Sequence, residues 1–416
     1  MTNKLFLVFF LLITTIVSAQ EGTSSPYSFY GLGDEKFKGT HDVRAMGGLS
    51  VVNDSIHVNL LNPATFSKIK ITNFVIGGST MFSNLANETK SEKAQRTSLD
   101  YLAVAFPIGK FGTNFGIMPF TSVGYRVQNE TTEGDIKKTT YNGSGGINRV
   151  FFGLGYNLIK DFSIGANLQY NFGTIESKTI VFIPNVTLGS REINESMVKG
   201  ISTNFALLYN KKLAKKYTLS TTFNYTPQAK LTNTSSREIA TITINSAGNE
   251  VVSNSIKPAV SNTKLIIPAK YTFATGIGIS KKWFVGAEYS YIENSNLQNR
   301  FTDFDKATFE DSHKFVLGGY YIPKFSSLTS YWSRVNYRAG FRYQNTGIIL
   351  NSKPINDYGI TFGLGLPVGG KFSSLNFGFE YGKRGTAKNN LIEDNYFGIN
   401  IGLSLNDLWF EKRKYD

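Results

Sequence analysis

The chain has 416 residues, with 44 Lys+Arg against 30 Asp+Glu and no cysteine. A disulfide scaffold and a thiolate metal site both need cysteine, and three histidines are too few for a poly-His centre, so no metal site is expected. A charged fraction of 18% alongside 14% aromatic residues excludes a disordered solvating chain and leaves either two or three soluble domains or one large barrel.

Residues 1–19 read as a signal peptide. Lys4 supplies the positive start, the run from Leu5 to Val17 is too short to span a bilayer, and Val17-Ser18-Ala19 offers small residues for cleavage before Gln20. Residues 20–70 follow as a separate segment. It is rich in glycine (Gly31, Gly33, Gly39, Gly47, Gly48), shows little alternation, and is long enough to fold back as a plug.

From residue 71 to 416 the pattern changes to a period of two. Tyr358, Ile360, Phe362, Leu364 and Leu366 alternate with Asp357, Gly359, Thr361, Gly363 and Gly365. Phe397, Ile399, Ile401, Leu403 and Leu405 alternate in the same way with Gly, Asn and Ser. Such runs mark strands with one apolar and one polar face. They number about fourteen, most near the ten residues that a tilted membrane strand needs. Their centres fall at Val75, Ala103, Gly116, Phe152, Ala166, Phe205, Phe223, Phe273, Ala287, Leu317, Ala339, Phe362, Phe379 and Ile401.

The connections alternate in length. Short ones hold Gly109-Lys110, Lys160-Asp161, Ala214-Lys215 and Lys281-Lys282; long polar ones cover 84–97, 129–145, 174–199, 232–262 and 294–308. A transmembrane antiparallel β-barrel has this asymmetry, with short periplasmic turns and longer outer loops. The expected fold is therefore all-β, an outer-membrane barrel with an N-terminal plug and both termini in the periplasm of a Gram-negative cell. Glu238–Asn245, inside the longest loop, is expected to form a small hairpin above the membrane.

Lysine pairs at the short turns suit a rim that meets lipid headgroups, and export removes any nucleic-acid partner. Catalytic patterns are scarce. Glu310, Asp311 and His313 cluster at a strand start with no serine paired to them, which suits a charged strand end better than an acid–base set. Gly276-Ile277-Gly278 and Gly363-Leu364-Gly365 lie in alternating strands with no helix after them, so they are not phosphate loops. No enzyme and no cofactor are expected. Tyrosines near strand ends, among them Tyr170, Tyr209, Tyr289, Tyr320, Tyr321, Tyr381 and Tyr396, read as interfacial girdles. Pro119 stands in the third strand, where proline cannot donate a ladder hydrogen bond and marks a break, with Met118 and Phe120 beside it facing inward.

Taken together, the exported barrel pattern, Asn62-Pro63-Ala64 before the first strand and Arg44-Ala45-Met46-Gly47-Gly48 upstream resemble the FadL family of outer-membrane transporters for hydrophobic compounds. The stretch Ser25 to Gly33 and the ending Asn406-Asp407-Leu408-Trp409-Phe410 resemble its Bacteroidetes branch. The resemblance implies a hatch motif at Asn62, Pro63 and Ala64 and a lateral gate and ligand path at Met118, Pro119 and Phe120. The implied partners are outer-membrane lipid and a hydrophobic, fatty-acid-like small molecule that leaves sideways through the wall. The branch also resembles scaffold subunits of outer-membrane protein-secretion or barrel-assembly complexes, which implies a larger protein partner instead. Arg149, Lys270, Arg338, Arg342 and Glu380 fall on the expected lumen face, so a polar lumen is expected either way.

Overall fold

Alternation becomes geometry in the computed structural model, which describes residues 22–131, 137–214, 216–297, 307–368 and 373–407. The expected leader and the terminal Trp409-Phe410 lie outside the described residues. Fourteen strands form the wall: β2 (Thr72–Ala86), β3 (Ser91–Ile108), β4 (Phe111–Thr131), β5 (Lys137–Ile159), β6 (Phe162–Phe182), β7 (Gly189–Leu213), β8 (Tyr217–Thr226), β12 (Lys270–Ile279), β13 (Trp283–Ile292), β15 (Ser312–Tyr321), β16 (Asn336–Leu350), β17 (Lys353–Pro367), β18 (Ser374–Arg384) and β19 (Glu393–Asp407). Neighbours pair antiparallel, and β19 closes on β2 from Asp407↔Thr72 to Glu393↔Ala86. Each expected strand centre lies in one of these strands. Among the described residues, no helix is long and apolar enough to cross a membrane.

The two faces separate as the period demands. Phe362, Phe397, Ile401 and Leu405 are exposed on the outside, while Thr361, Asn400 and Ser404 are buried inside. Aromatic rows lie on the outer face: Tyr225, Tyr271 and Tyr291 stack at the end that carries the long connections, and Tyr217 meets Trp283 at the short-turn end. Tyr320 and Tyr396 depart from the girdle expectation. Tyr320 stacks on the buried Phe284, and Tyr396 is buried, with its hydroxyl donating to Asp357 at 2.7 Å. Each sits one residue out of phase with the outward set, so the ring points into the barrel.

The strand lengths also correct the sequence reading. The wall strands run from ten to 25 residues, because most of the long polar connections are strand continuations rather than loops. Polar residues on both faces hide the period of two but leave the backbone ladder intact. The stretch 232–262 forms β9 (Ala229–Ile244), β10 (Glu250–Ile256) and the lead-in to β11 (Thr263–Ile267), with Glu238–Asn245 mostly in one hairpin arm. β9 extends the line of β8 beyond Pro227, and β11 leads into β12 across Pro268; each proline interrupts the ladder by removing one donor. A short β14 (Ala307–Phe309) pairs with the far end of β16.

The N-terminal segment fills the lumen. It carries a two-residue strand β1 (Asp34–Glu35), a four-residue helix α1 (His41–Arg44) and a 3-10 turn at Pro63–Lys68. It reaches the wall where glycines face inward. A Cβ on Gly165 would lie 2.3 Å from the Pro63 carbonyl carbon, and one on Gly340 would lie 2.2 Å from the Gly47 nitrogen. Buried apolar clusters join plug to wall through Phe66, Ile69, Val75 and Phe151 in one place and through Met46, Leu49, Val51 and Phe284 in another.

Candidate functional site: a wall opening and the plug strand beside it

The wall is incomplete between β3 and β4. Pairing runs only from Phe111↔Ile108 to Ile117↔Leu102. Beyond Ile117, β4 stays paired with β5, and beyond Leu102, β3 stays paired with β2, so the two sheets part company. Pro119 stands two residues past the last β3–β4 pair, and the β4–β5 register shifts between Pro119 and Thr121 around Phe120. A missing donor and a bulge at one place bend the strand out of line with its neighbour.

Plug residues take the edge that β3 leaves vacant. β1 pairs antiparallel with β4, Asp34 opposite Ser122 and Glu35 opposite Thr121. The Lys36 N–H donates to the Phe120 carbonyl at 3.1 Å, and the Gly124 N–H donates to the Ser28 hydroxyl at 3.2 Å. Met118 and Phe120 are buried, 5% exposed each. Phe120 lies between two cations, with Lys38 Nζ 4.4 Å and Arg149 Cζ 4.0 Å from its ring centre. Met118 packs with Phe66, Tyr101 and Phe151. Both side chains lie on the inner side of the opening and line the cavity behind it.

Behind the opening is a cavity of about 400 Å³ with two kinds of lining. One arc is apolar, with Leu32, Ile267, Leu297, Phe309 and Ile348. The other holds a chain of ion pairs that starts on β3 and ends on the plug strand. Arg44 on α1 meets Asp100 at 3.4 Å and Glu380 at 2.8 Å. Arg342 bridges Glu380 at 2.8 Å and Asp357 at 3.3 Å. Arg384 then joins Asp357 at 3.0 Å to Asp34 at 2.6 Å. Four carboxylates alternate with three guanidinium groups, so each charge removed from water has an opposite neighbour. Beside this chain, burial holds the His41 imidazole down to about 4, so it is neutral at pH 7; its ring packs against Tyr101.

The hatch motif is a separate anchor at the other end of the plug. Asn62 caps the 3-10 turn by accepting from the Ala64 N–H at 3.0 Å, and its amide donates to Thr222 on β8 at 2.8 Å and to the Ser50 carbonyl at 3.1 Å. Pro63 sits at the first helical position, where its missing N–H costs nothing. Ala64 packs against Ala206 and Leu208 of β7. The structure thus brings Met118, Pro119 and Phe120 together at the opening and places Asn62, Pro63 and Ala64 at the plug base.

Asp311 and His313 lie at the loop end of β15. Asp311 accepts from Tyr291 and Ser295, and His313 contacts Tyr289, so neither meets a nucleophile paired for catalysis. Among the described residues, no group of acidic and histidine side chains could hold a metal. Sequence reasoning named Arg149, Arg342 and Glu380 as lumen residues but missed Asp34, Lys36, Lys38 and Arg384. Asp34 and Arg384 are 350 positions apart, and nothing local signals that they meet.

A family model, BamG, matches residues 1–416. The chain belongs to the BamG family. Among solved structures, the barrel of this BamG-family chain resembles the Ralstonia pickettii toluene transporter TbuX, with a TM-score of 0.59 and 14% identity over 88% of this chain and 98% of that one. It also resembles the CymD monoaromatic hydrocarbon channel (TM-score 0.58, 13% identity, 91% and 100% covered) and a Pseudomonas aeruginosa FadL homologue (0.56, 12%, 91% and 99%). At these identities the shared property is the fold, that of FadL-type outer-membrane barrels. No curated protein sequence matches.

Proposed function

We propose that this chain takes up hydrophobic small molecules across the outer membrane and releases them sideways through the opening between β3 and β4. Its short-turn end and both termini would face the periplasm. The observation that carries the reading is the ladder break above Ile117 and Leu102, bounded by Pro119 and occupied by a plug strand of two residues. In hydrocarbon, unpaired backbone costs several kcal/mol per group, so a break at membrane depth needs a compensating neighbour, and β1 is that neighbour. The apolar arc of the cavity offers the entry surface, and the similar structures include a monoaromatic hydrocarbon channel and a toluene transporter.

Replacing Pro119 tests this. Pro119→Val restores a donor and favours a straight strand that closes on β3. Uptake of a radiolabelled long-chain fatty acid and of toluene by cells should fall sharply, while the heat-modifiable gel shift of the folded barrel stays the same. Equal uptake by variant and wild type, or no uptake by either, would rule lateral transport out.

The charged half of the cavity favours a second reading, in which the barrel is a scaffold subunit of a larger outer-membrane protein complex. Lys36, Lys38, Asp34 and Arg149 at the opening form a poor surface for bare hydrocarbon. Mass spectrometry of the gently solubilised protein separates the two: co-purified hydrophobe supports transport, and a stoichiometric large partner supports the scaffold.

A further inference from the structure

Three lysines gather on the outer face of the wall at its loop end. Val198 on β7, Leu231 on β9 and Leu265 on β11 are buried in one apolar cluster on the lumen side. Alternation therefore turns Lys199, Lys230, Thr232 and Lys264 outward, and all four are exposed. Thr232 stands at the centre, opposite Lys199 on one side and Lys264 on the other, with Lys230 two residues along the same strand. With strands about 4.8 Å apart and about 3.3 Å of rise per residue, the three lysine Cα atoms fall within roughly 10 Å of one another. None of the three has an ion pair or a side-chain hydrogen bond among the described residues. Several other basic residues of the loop end are paired: Lys178 and Arg191 with Glu250, Arg237 with Glu192, and Lys383 with Glu393. Three ammonium groups this close repel one another, and an anion among them removes that repulsion.

We propose that Lys199, Lys230 and Lys264 bind the phosphate of an outer-leaflet lipid whose acyl chains run down the wall past Ile201, Phe205 and Phe273. The patch begins where the lipid-facing wall ends. Ile201, two residues nearer the membrane than Lys199 on the same face, is 59% exposed and lies opposite the exposed Tyr170. Phe205 lies opposite Tyr225, which starts the Tyr225, Tyr271 and Tyr291 row of the outer interface. A ligand on these lysines therefore meets cations at its head and apolar wall directly beneath, as a phospholipid does and a free phosphate does not. Lysine suits phosphate because its ammonium is a compact charge on a flexible stem, so three stems can converge on one group. On the solvent side the same face turns acidic, with Glu176 opposite Glu195 four residues beyond Lys199. An acidic protein segment that crossed the sheet from outside would meet these carboxylates first, which favours an anion that arrives from the membrane. The inference shares with the transport reading only the orientation of the barrel.

Fluorescence quenching on the full-length barrel in mixed micelles tests it. The chain has no cysteine, so Ile201→Cys carries a bimane at one defined place beneath the patch. The labelled barrel is titrated with phosphatidic acid bearing a nitroxide on its acyl chain, and separately with phosphatidylcholine bearing the same nitroxide. Phosphatidic acid should be preferred at least about tenfold, since each lysine near an anionic lipid adds to the attraction. The preference should vanish in Lys199→Gln/Lys230→Gln/Lys264→Gln and persist in the matching triple arginine replacement. It should also persist in Lys281→Gln/Lys282→Gln at the short-turn end and in Pro119→Val, because the assay reads neither uptake nor the opening. Equal quenching by both lipids, or a preference that survives the triple glutamine replacement, would overturn the proposal. Displacement of the labelled lipid by an equal concentration of inorganic phosphate would mean a free-anion site. Displacement by an oligoglutamate peptide at a lower concentration than unlabelled phosphatidic acid would mean an acidic protein partner, and either result would overturn the lipid assignment.

Discussion

The plug meets the barrel in two ways. Its base, roughly residues 43–69, is packed: Phe66 is fully buried, glycines such as Gly165 and Gly340 admit its backbone, and Asn62 satisfies three partners at once. Its N-terminal part, residues 22–38, has no side-chain-capped 3-10 turn like that at Asn62; two ladder positions, the Arg384–Asp34 pair and cations on Phe120 hold it, with two apolar contacts, Leu32 against Val123 and Ile147 and Tyr27 against Leu350 and Ile355. Close packing is lost all at once when disturbed, whereas a short ladder with an ion pair can detach and return. A base locked by close packing is thus set against an N-terminal part tied more by a short ladder and ion pairs, beside the wall opening.

The largest effect should come from attacking the base. Phe66→Ala leaves a cavity where the ring filled the β4–β6 wall, at a cost of about 3–5 kcal/mol. Planar-bilayer recordings should show higher and noisier conductance, and the folded gel band should melt at a lower temperature. Next in size, Asn62→Ala strands the Ala64 N–H and takes a donor from the Thr222 hydroxyl, worth about 1–3 kcal/mol, and should lower the melting temperature with a smaller rise in conductance.

Asp34→Asn attacks the other region. It removes the carboxylate that Arg384 holds, and maleimide labelling of a Ser122→Cys reporter should speed up about tenfold, or ~1.4 kcal/mol, with the melting temperature unchanged. If the melting temperature fell as far as in Phe66→Ala, the two regions would be one cooperative unit.

The smallest effect concerns pH at the base. Burial works against the His57 charge, but the Asp54 carboxylate 2.6 Å away raises the imidazole above its ordinary 6.5 overall. A raised pKa means that the contribution is full below 6.5 and is lost as pH rises through the higher folded value. Asp54 is lowered below 3.8, since His57 and backbone donors outweigh its burial, so its share is lost only as pH falls through that lower value. Protection factors at residues 54–57, with exchange rates corrected for the intrinsic base catalysis of amides, should be highest in mildly acidic buffer and fall toward alkaline pH, with His57→Gln abolishing that fall.

The fold was legible because a membrane strand needs a period of two, and Phe362 or Ile401 against Thr361 or Asn400 shows it without ambiguity. The extent of the strands was not, since above the membrane both faces of β5, β6 and β7 are polar and pairing leaves no period to read. Pro119 was legible as a break because proline lacks the donor. That the break is filled by Asp34–Glu35, and that Phe120 is sandwiched by Lys38 and Arg149, depends on tertiary neighbours far away in sequence. The tyrosine row misled at Tyr320 and Tyr396, where proximity to a strand end said nothing of phase.

The central claim is that residues 22–38 release from the β4 edge while residues 43–69 stay seated. Native-state hydrogen exchange on the purified full-length barrel, followed by peptide mass spectrometry, measures it directly. The account predicts that amides of 22–38 and of 120–124 on β4 exchange at least about tenfold faster than those of 43–69, and faster still in Asp34→Asn. Equal protection across 22–69, unmoved by Asp34→Asn, would contradict it.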